Sequence, residues 1–159
     1  MAGLLGSNSF RFLFRQDEGT IDRPTWWRGF AMLAVPLGIA TLVWWAISGS
    51  AMAPMANNIP QANGATAFTH GYLLAYAALI LLVAICYYNL SAKRLRARAM
   101  PTGLASLLPL AALLAGAMHW MAPRVGDALP VWTTTAMDVV VLVIAAWNIV
   151  EMGIQETRD

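Results

Sequence analysis

The first residue in this sequence whose type and position could do chemistry is Asp138. It interrupts the stretch VWTTTAMDVVVLVIAAWNIVEMG, residues 131–153, which is otherwise apolar and long enough to cross a bilayer. On an insertion scale a central aspartate costs roughly 2.5–3.5 kcal/mol, while each Val, Ile or Leu contributes about 0.3–0.6 kcal/mol favourably. About nine such residues in the stretch offset the acid. A helix here is therefore marginal alone and gains from a partner. At 1.5 Å per residue Asp138 lies about 10 Å from Val131, in the outer half of the helix. Thr134 is one turn earlier on the same face, and Ala145 two turns later is small enough to admit another helix. An intramembrane acid with such neighbours points into protein.

His119 is the candidate partner. It sits near the end of the preceding apolar run, and the short connection makes the two helices antiparallel neighbours. Trp120, Tyr72 and Tyr76 are further possible donors. Three uses of the acid are open. It can be a hydrogen-bonded post that fixes helix packing, which is the expectation. It can be a proton or cation handle shared with His119. It can contact another subunit. Asn148 and Glu151, at the other end of the same helix, are expected to reach water.

Other chemistry is sparse. Met52, Met55, Met118, His119 and Met121 supply thioether and imidazole groups suited to copper(I), but they come from separate segments. His70 and His119 are the two histidines available to a haem. The expectation is no metal and no cofactor. Cys86 lies inside an apolar run and has no second cysteine to pair with. There is no nucleophile–base pair, Gly-rich phosphate loop or carboxylate pair, and the expectation is a protein without enzymatic activity.

The elements that position these residues follow from composition. Of 159 residues, 59% are hydrophobic and 11% charged, against about 25% charged in soluble domains. Four apolar runs, about 29–48, 71–90, 102–122 and 131–150, each approach the roughly 20 residues that span a bilayer as a helix. The last is rich in valine but shows no alternation, and an isolated strand in lipid leaves its backbone unpaired. The expected fold is all-α and polytopic, with four transmembrane helices between a segment 1–25 and a tail 153–159.

Basic residues set the orientation. Arg11, Arg15, Arg23 and Arg28 precede the first run, Lys93, Arg94, Arg96 and Arg98 follow the second, and Arg158 lies in the tail. Arg124 is alone on the other side. The positive-inside rule then puts both termini and the 91–101 connection in the cytoplasm. The cations are read as topology anchors that can also hold anionic lipid headgroups. Scattered at the ends of apolar runs, they do not make a nucleic-acid face. Trp26, Trp27, Trp44, Trp45, Tyr72, Tyr87, Tyr88, Trp120, Trp132 and Trp147 fall near run ends, where aromatic rings favour the headgroup level.

The first run is too long and too far from the start to be a secretory signal, and it is expected to be retained. Segment SFRFLFRQDEG interleaves aromatic and basic residues and suits either a short interfacial helix or an unstructured tail. The connection 49–70, rich in Ala, Asn, Pro and Gly, is a mobile connector or a surface laid against a partner. Ala34 with Gly38, and Ala112 with Gly116, are small residues four apart and candidate helix-packing positions. Pro36 and Pro109 are expected to kink their helices, whereas Pro101 precedes its helix at little cost.

Two segments resemble the family called domain of unknown function 805, small bacterial inner-membrane proteins. GTIDRPTWW is similar to the family's opening G-R-I-S-R-x-E-F-W through Gly19, Ile21, Arg23 and the tryptophan at Trp26 or Trp27. KRLRARA is similar to its R-R-L-H-D-x-G through Lys93, Arg94 and Leu95, and departs from it at Arg96, Ala97 and Ala99. The resemblance implies a multi-helix inner-membrane protein and no particular reaction. Membrane lipids, and other membrane subunits or a second copy, are the expected partners. The function expected is an accessory or scaffolding role, with a small proton- or cation-coupled transporter using Asp138 and His119 as the alternative.

Overall fold

Hydrocarbon offers no hydrogen-bond partners, so each apolar run closes its backbone bonds within itself as a helix. A computed structural model describes residues 7–16, 18–52, 64–125 and 130–156. The described elements are α1 (Ser7–Phe14), α2 (Arg23–Met52), α3 (Gly64–Arg96), a 3-10 turn Thr102–Ser106 leading into α4 (Leu107–Val125), and α5 (Val131–Asn148), which runs on as a π-helical turn Ile149–Ile154. Four stretches among the described residues are long and apolar enough to cross a membrane: Arg23–Ile47, Ala67–Arg96, Thr102–Ala122 and Trp132–Ile154. The chain is thus an all-α polytopic membrane protein. Leu42, Leu74, Leu110, Leu142 and Val143 are exposed along these spans, as side chains facing lipid tails should be.

The helices overrun the apolar runs that nucleate them. α2 starts six residues before the run, because Asp22 caps it: the Asp22 carboxylate accepts from the Thr25 N–H at 3.1 Å. Pro24 fits the first turn, where a missing N–H costs nothing. α3 continues past Leu90 because Leu90, Ser91, Ala92 and Leu95 are all buried. Pro109 does not lie in a helix interior, where a kink was expected. It falls in the first turn of α4, and the residues before it form the 3-10 turn, so the bond it cannot donate to Ala105 is not required. Pro36 does lie inside α2.

The chain forms two compact units, Met1–Gly29 with Cys86–Asp159, and Phe30–Ile85. In the second unit α2 and α3 are joined by aromatic side chains. Tyr72 Oη donates to the Ala40 carbonyl at 2.6 Å, and Tyr76 Oη shares a hydrogen bond of 2.9 Å with Thr41 Oγ1. The Trp44, Tyr72 and Tyr76 rings stack in parallel at 6.3–6.4 Å. Trp44 and Tyr72 are therefore engaged between helices, where the sequence suggested headgroup markers. In the first unit α4 and α5 pack side by side, with Ala111, Ala115 and Thr134 buried. The core of that unit lies at its basic end, where Leu13, Phe14, Ile21, Trp26, Tyr87, Leu90, Leu95 and Met152 are buried. Expectations placed on residues 53–63, 126–129 and 157–159, Met55 and Arg158 among them, and on the Arg124 side chain, lie outside the described residues.

Candidate functional site

The first unit carries two polar constellations. One is at the basic end, where α1, the start of α2, the end of α3 and the end of α5 meet. The other joins α4 to α5 at the far end of that helix pair.

At the basic end the governing fact is that a helix leaves its last four carbonyls without internal donors. The last turn of α5, continued to Ile154, holds no basic residue of its own. All four carbonyls are met from other elements. Arg98 Nη1 donates to Glu151 O, Arg94 Nε to Met152 O at 3.1 Å, Trp27 Nε1 to Gly153 O at 2.9 Å, and Arg23 Nη1 to Ile154 O at 3.2 Å. Arg94 Nη2 adds the Gln155 carbonyl at 2.6 Å. The same end of α3 closes α1. Asn89 Nδ2 donates to Phe14 O at 2.8 Å, and Lys93 Nζ donates to Leu13 O at 3.2 Å and to Gln16 O. Arg96 Nη1 reaches Gly19 O at 2.8 Å. Positive charge at helix C-termini also answers the helix dipole.

Lys93, Arg94 and Arg98 are 0%, 1% and 3% exposed, and of the four only Arg96 is exposed. Glu151 and Asn148 also differ from expectation. Glu151 pairs with Arg98 at 2.9 Å, and Asn148 is buried, accepting from Tyr87 Oη at 2.8 Å and donating to Ile144 O at 2.7 Å. Asn148 is held by Tyr87 on α3, and Glu151, half-buried, by Arg98 just past the end of α3.

Close backbone approach occurs at two glycines the sequence did not single out. A Cβ on Gly153 would lie 2.7 Å from Trp27 Cζ2, and one on Gly29 would lie 2.7 Å from Leu90 Cδ1. Around Gly38 and Gly116 there is open space. Gly38, Ala112 and Gly116 are exposed and Ala34 is half-buried, so within the chain these four are not the tight contacts their spacing suggested. Spacing identifies a smooth face, and whether a neighbour lies on it depends on the fold. On α4 the buried small residues are instead Ala111 and Ala115.

Asp22 lies beside the clasp, outside the spans. Hydrogen bonding from the Thr25 side chain, with the Thr25 N–H and the nearby Arg94 charge assisting against slight burial, holds its carboxyl below the usual carboxylate range. Its signal was in the sequence: an Asp two residues before a Pro, ahead of an apolar run.

At the far end of the α4–α5 pair, His119 Nε2 lies 2.9 Å from Asp138 Oδ1 and 3.0 Å from Oδ2. Their side chains are 55% and 47% exposed. Thr134, one turn earlier on α5, is buried. Of the other donors considered for Asp138, Tyr72 and Tyr76 are bonded to α2, and Trp120 is exposed. Chemically the pair can hold one proton between imidazole and carboxylate, or stand as an ion pair. Among the described residues no three His, Cys, Asp or Glu side chains gather as a metal site.

Comparison of the chain with protein-family models, with curated proteins and with solved structures finds no match.

Proposed function

We propose that this chain is a non-enzymatic accessory or scaffolding subunit of the bacterial inner membrane, with both termini and the 91–101 connection in the cytoplasm. Its α4–α5 face packs laterally against other transmembrane helices, from another subunit or a second copy. The resemblance to domain of unknown function 805 through Gly19, Ile21, Arg23, Lys93, Arg94 and Leu95 supports membership of a small inner-membrane family. The observation that carries the lateral role is the His119–Asp138 pair. Both side chains stand half-exposed on an apolar helix pair within membrane-spanning stretches. A polar pair in that position is unfavourable against lipid tails and favourable against a neighbouring polar or small-residue helix. The exposed Ala112 and Gly116 on α4 offer such a helix a close approach.

Purification in mild detergent tests this directly: the chain should emerge in a complex, and a solitary monomer overturns the scaffold. Asp138→Asn keeps a hydrogen-bonding group and should leave the complex intact. Replacing both His119 and Asp138 by Leu should release it. The second reading is a small proton- or cation-coupled transporter or channel, favoured by the 2.9 Å contact between an imidazole and a carboxylate. On that reading Asp138→Asn abolishes proton-coupled flux in reconstituted vesicles. Reporter tags in 91–101 check the orientation.

A further inference from the structure

The cations at the basic end are more than helix caps. Arg94 and Arg98 lie one turn apart on or just past the end of α3, both nearly fully buried. Two of their nitrogens, Arg94 Nη1 and Arg98 Nε, have no hydrogen-bond partner. Buried guanidinium N–H groups without acceptors are unfavourable and rare, and an absent acceptor is the usual explanation. The carboxylate in contact is Glu151, and it serves Arg98. Arg94 donates to the carbonyls of Met152 and Gln155.

One exposed residue bridges both guanidiniums. The Gln155 carbonyl oxygen accepts from Arg94 Nη2 at 2.6 Å, and its side-chain Oε1 accepts from Arg98 Nη2 at 2.5 Å. Two oxygens of a single residue thus accept from both guanidiniums. Planar guanidinium forks match phosphate oxygens better than any other side chain does. The stretches of α3 and α5 long and apolar enough to span a membrane end at Arg96 and Ile154, beside this pair of arginines.

We propose that Arg94 and Arg98 form a binding site for a phosphate group, the phosphodiester of an anionic lipid or free phosphate, whose oxygens replace those of Gln155. Binding leaves the carbonyl caps of Glu151 and Met152 in place and supplies acceptors to the two orphaned donors. The site does not depend on how the α4–α5 face is used.

Thermal unfolding of the full chain in neutral detergent micelles tests it. One arm adds inorganic phosphate against chloride at equal ionic strength. The other adds phosphatidylglycerol against an uncharged monoacylglycerol. The expected result is a saturable rise in Tm of about 3 °C in at least one arm. Gln155→Glu, a change at an exposed position, places a permanent carboxylate against Arg98. It should raise the ligand-free Tm and remove the response, whereas Gln155→Ala should keep or strengthen it. A response to both additions identifies the site with phosphate in general, and a response to phosphatidylglycerol alone identifies it with the lipid. The absence of a saturable rise in both arms, or a rise unchanged by Gln155→Glu, overturns the proposal.

Discussion

The two polar regions of the first unit use the same kinds of side chain to opposite physical ends. At the basic end, three arginines and an indole satisfy the four terminal carbonyls of α5, and a lysine and an asparagine do the same for α1. Charge there is buried and bonded to backbone. At the far end of α4 and α5, His119 and Asp138 satisfy each other but stay half-exposed. Charge there is available. A buried cation bonded to backbone cannot be removed without orphaning what it holds, whereas an exposed pair can be altered with little structural consequence. Stability is thus concentrated at one end and adaptability at the other.

The largest test of this contrast is Arg98→Leu. It strands the Glu151 carboxylate and the Glu151 carbonyl, and should cost about 3 kcal/mol. Unfolding in detergent should show that loss, while Asp138→Leu, at a half-exposed site, should cost about 1 kcal/mol or less. Equal costs would erase the distinction between the two ends.

Next in size are the glycines. Gly153→Ala and Gly29→Ala force a Cβ against Trp27 and Leu90 and should each destabilise by about 1–3 kcal/mol. Gly38→Ala and Gly116→Ala meet open space and should be neutral or stabilising by up to about 1 kcal/mol in the same assay. If Gly116 serves another chain, Gly116→Ile should weaken the complex without lowering the monomer's stability.

Tyr87→Phe sharpens the picture of the basic end. It removes a buried donor to Asn148 Oδ1 and should cost about 1 kcal/mol.

The smallest effect is Asp22→Ala, about 1 kcal/mol or less at neutral pH through the lost cap of α2. The Asp22 carboxyl is depressed in the folded protein, so its contribution is present above its unfolded pKa and fades as pH falls through the folded value. A titration of stability from pH 6 down to pH 3 should therefore be shallower in Asp22→Ala than in the parent.

The four spans were legible because a run of about 20 apolar residues is decisive by itself. The meeting of His119 with Asp138 was also legible, since a short connection makes their helices antiparallel neighbours and leaves the two side chains within reach of each other. The role of Lys93, Arg94 and Arg98 was only half legible. Their position at run ends spoke of orientation, but nothing local to KRLRAR shows that its donors close α1 and the end of α5, some 53 to 80 residues away. The small residues were half legible for a related reason. Gly38 and Gly153 look alike in sequence, and they differ only in whether a tryptophan lies on top of them.

By itself the sequence determined the solvent and the secondary structure. Transfer energy accumulates residue by residue along a chain, and a backbone in lipid has to bond to itself. Which donor meets which carbonyl was decided by the tertiary structure alone. A hydrogen bond needs a distance and a direction, and those exist only once distant segments have been brought to the same place.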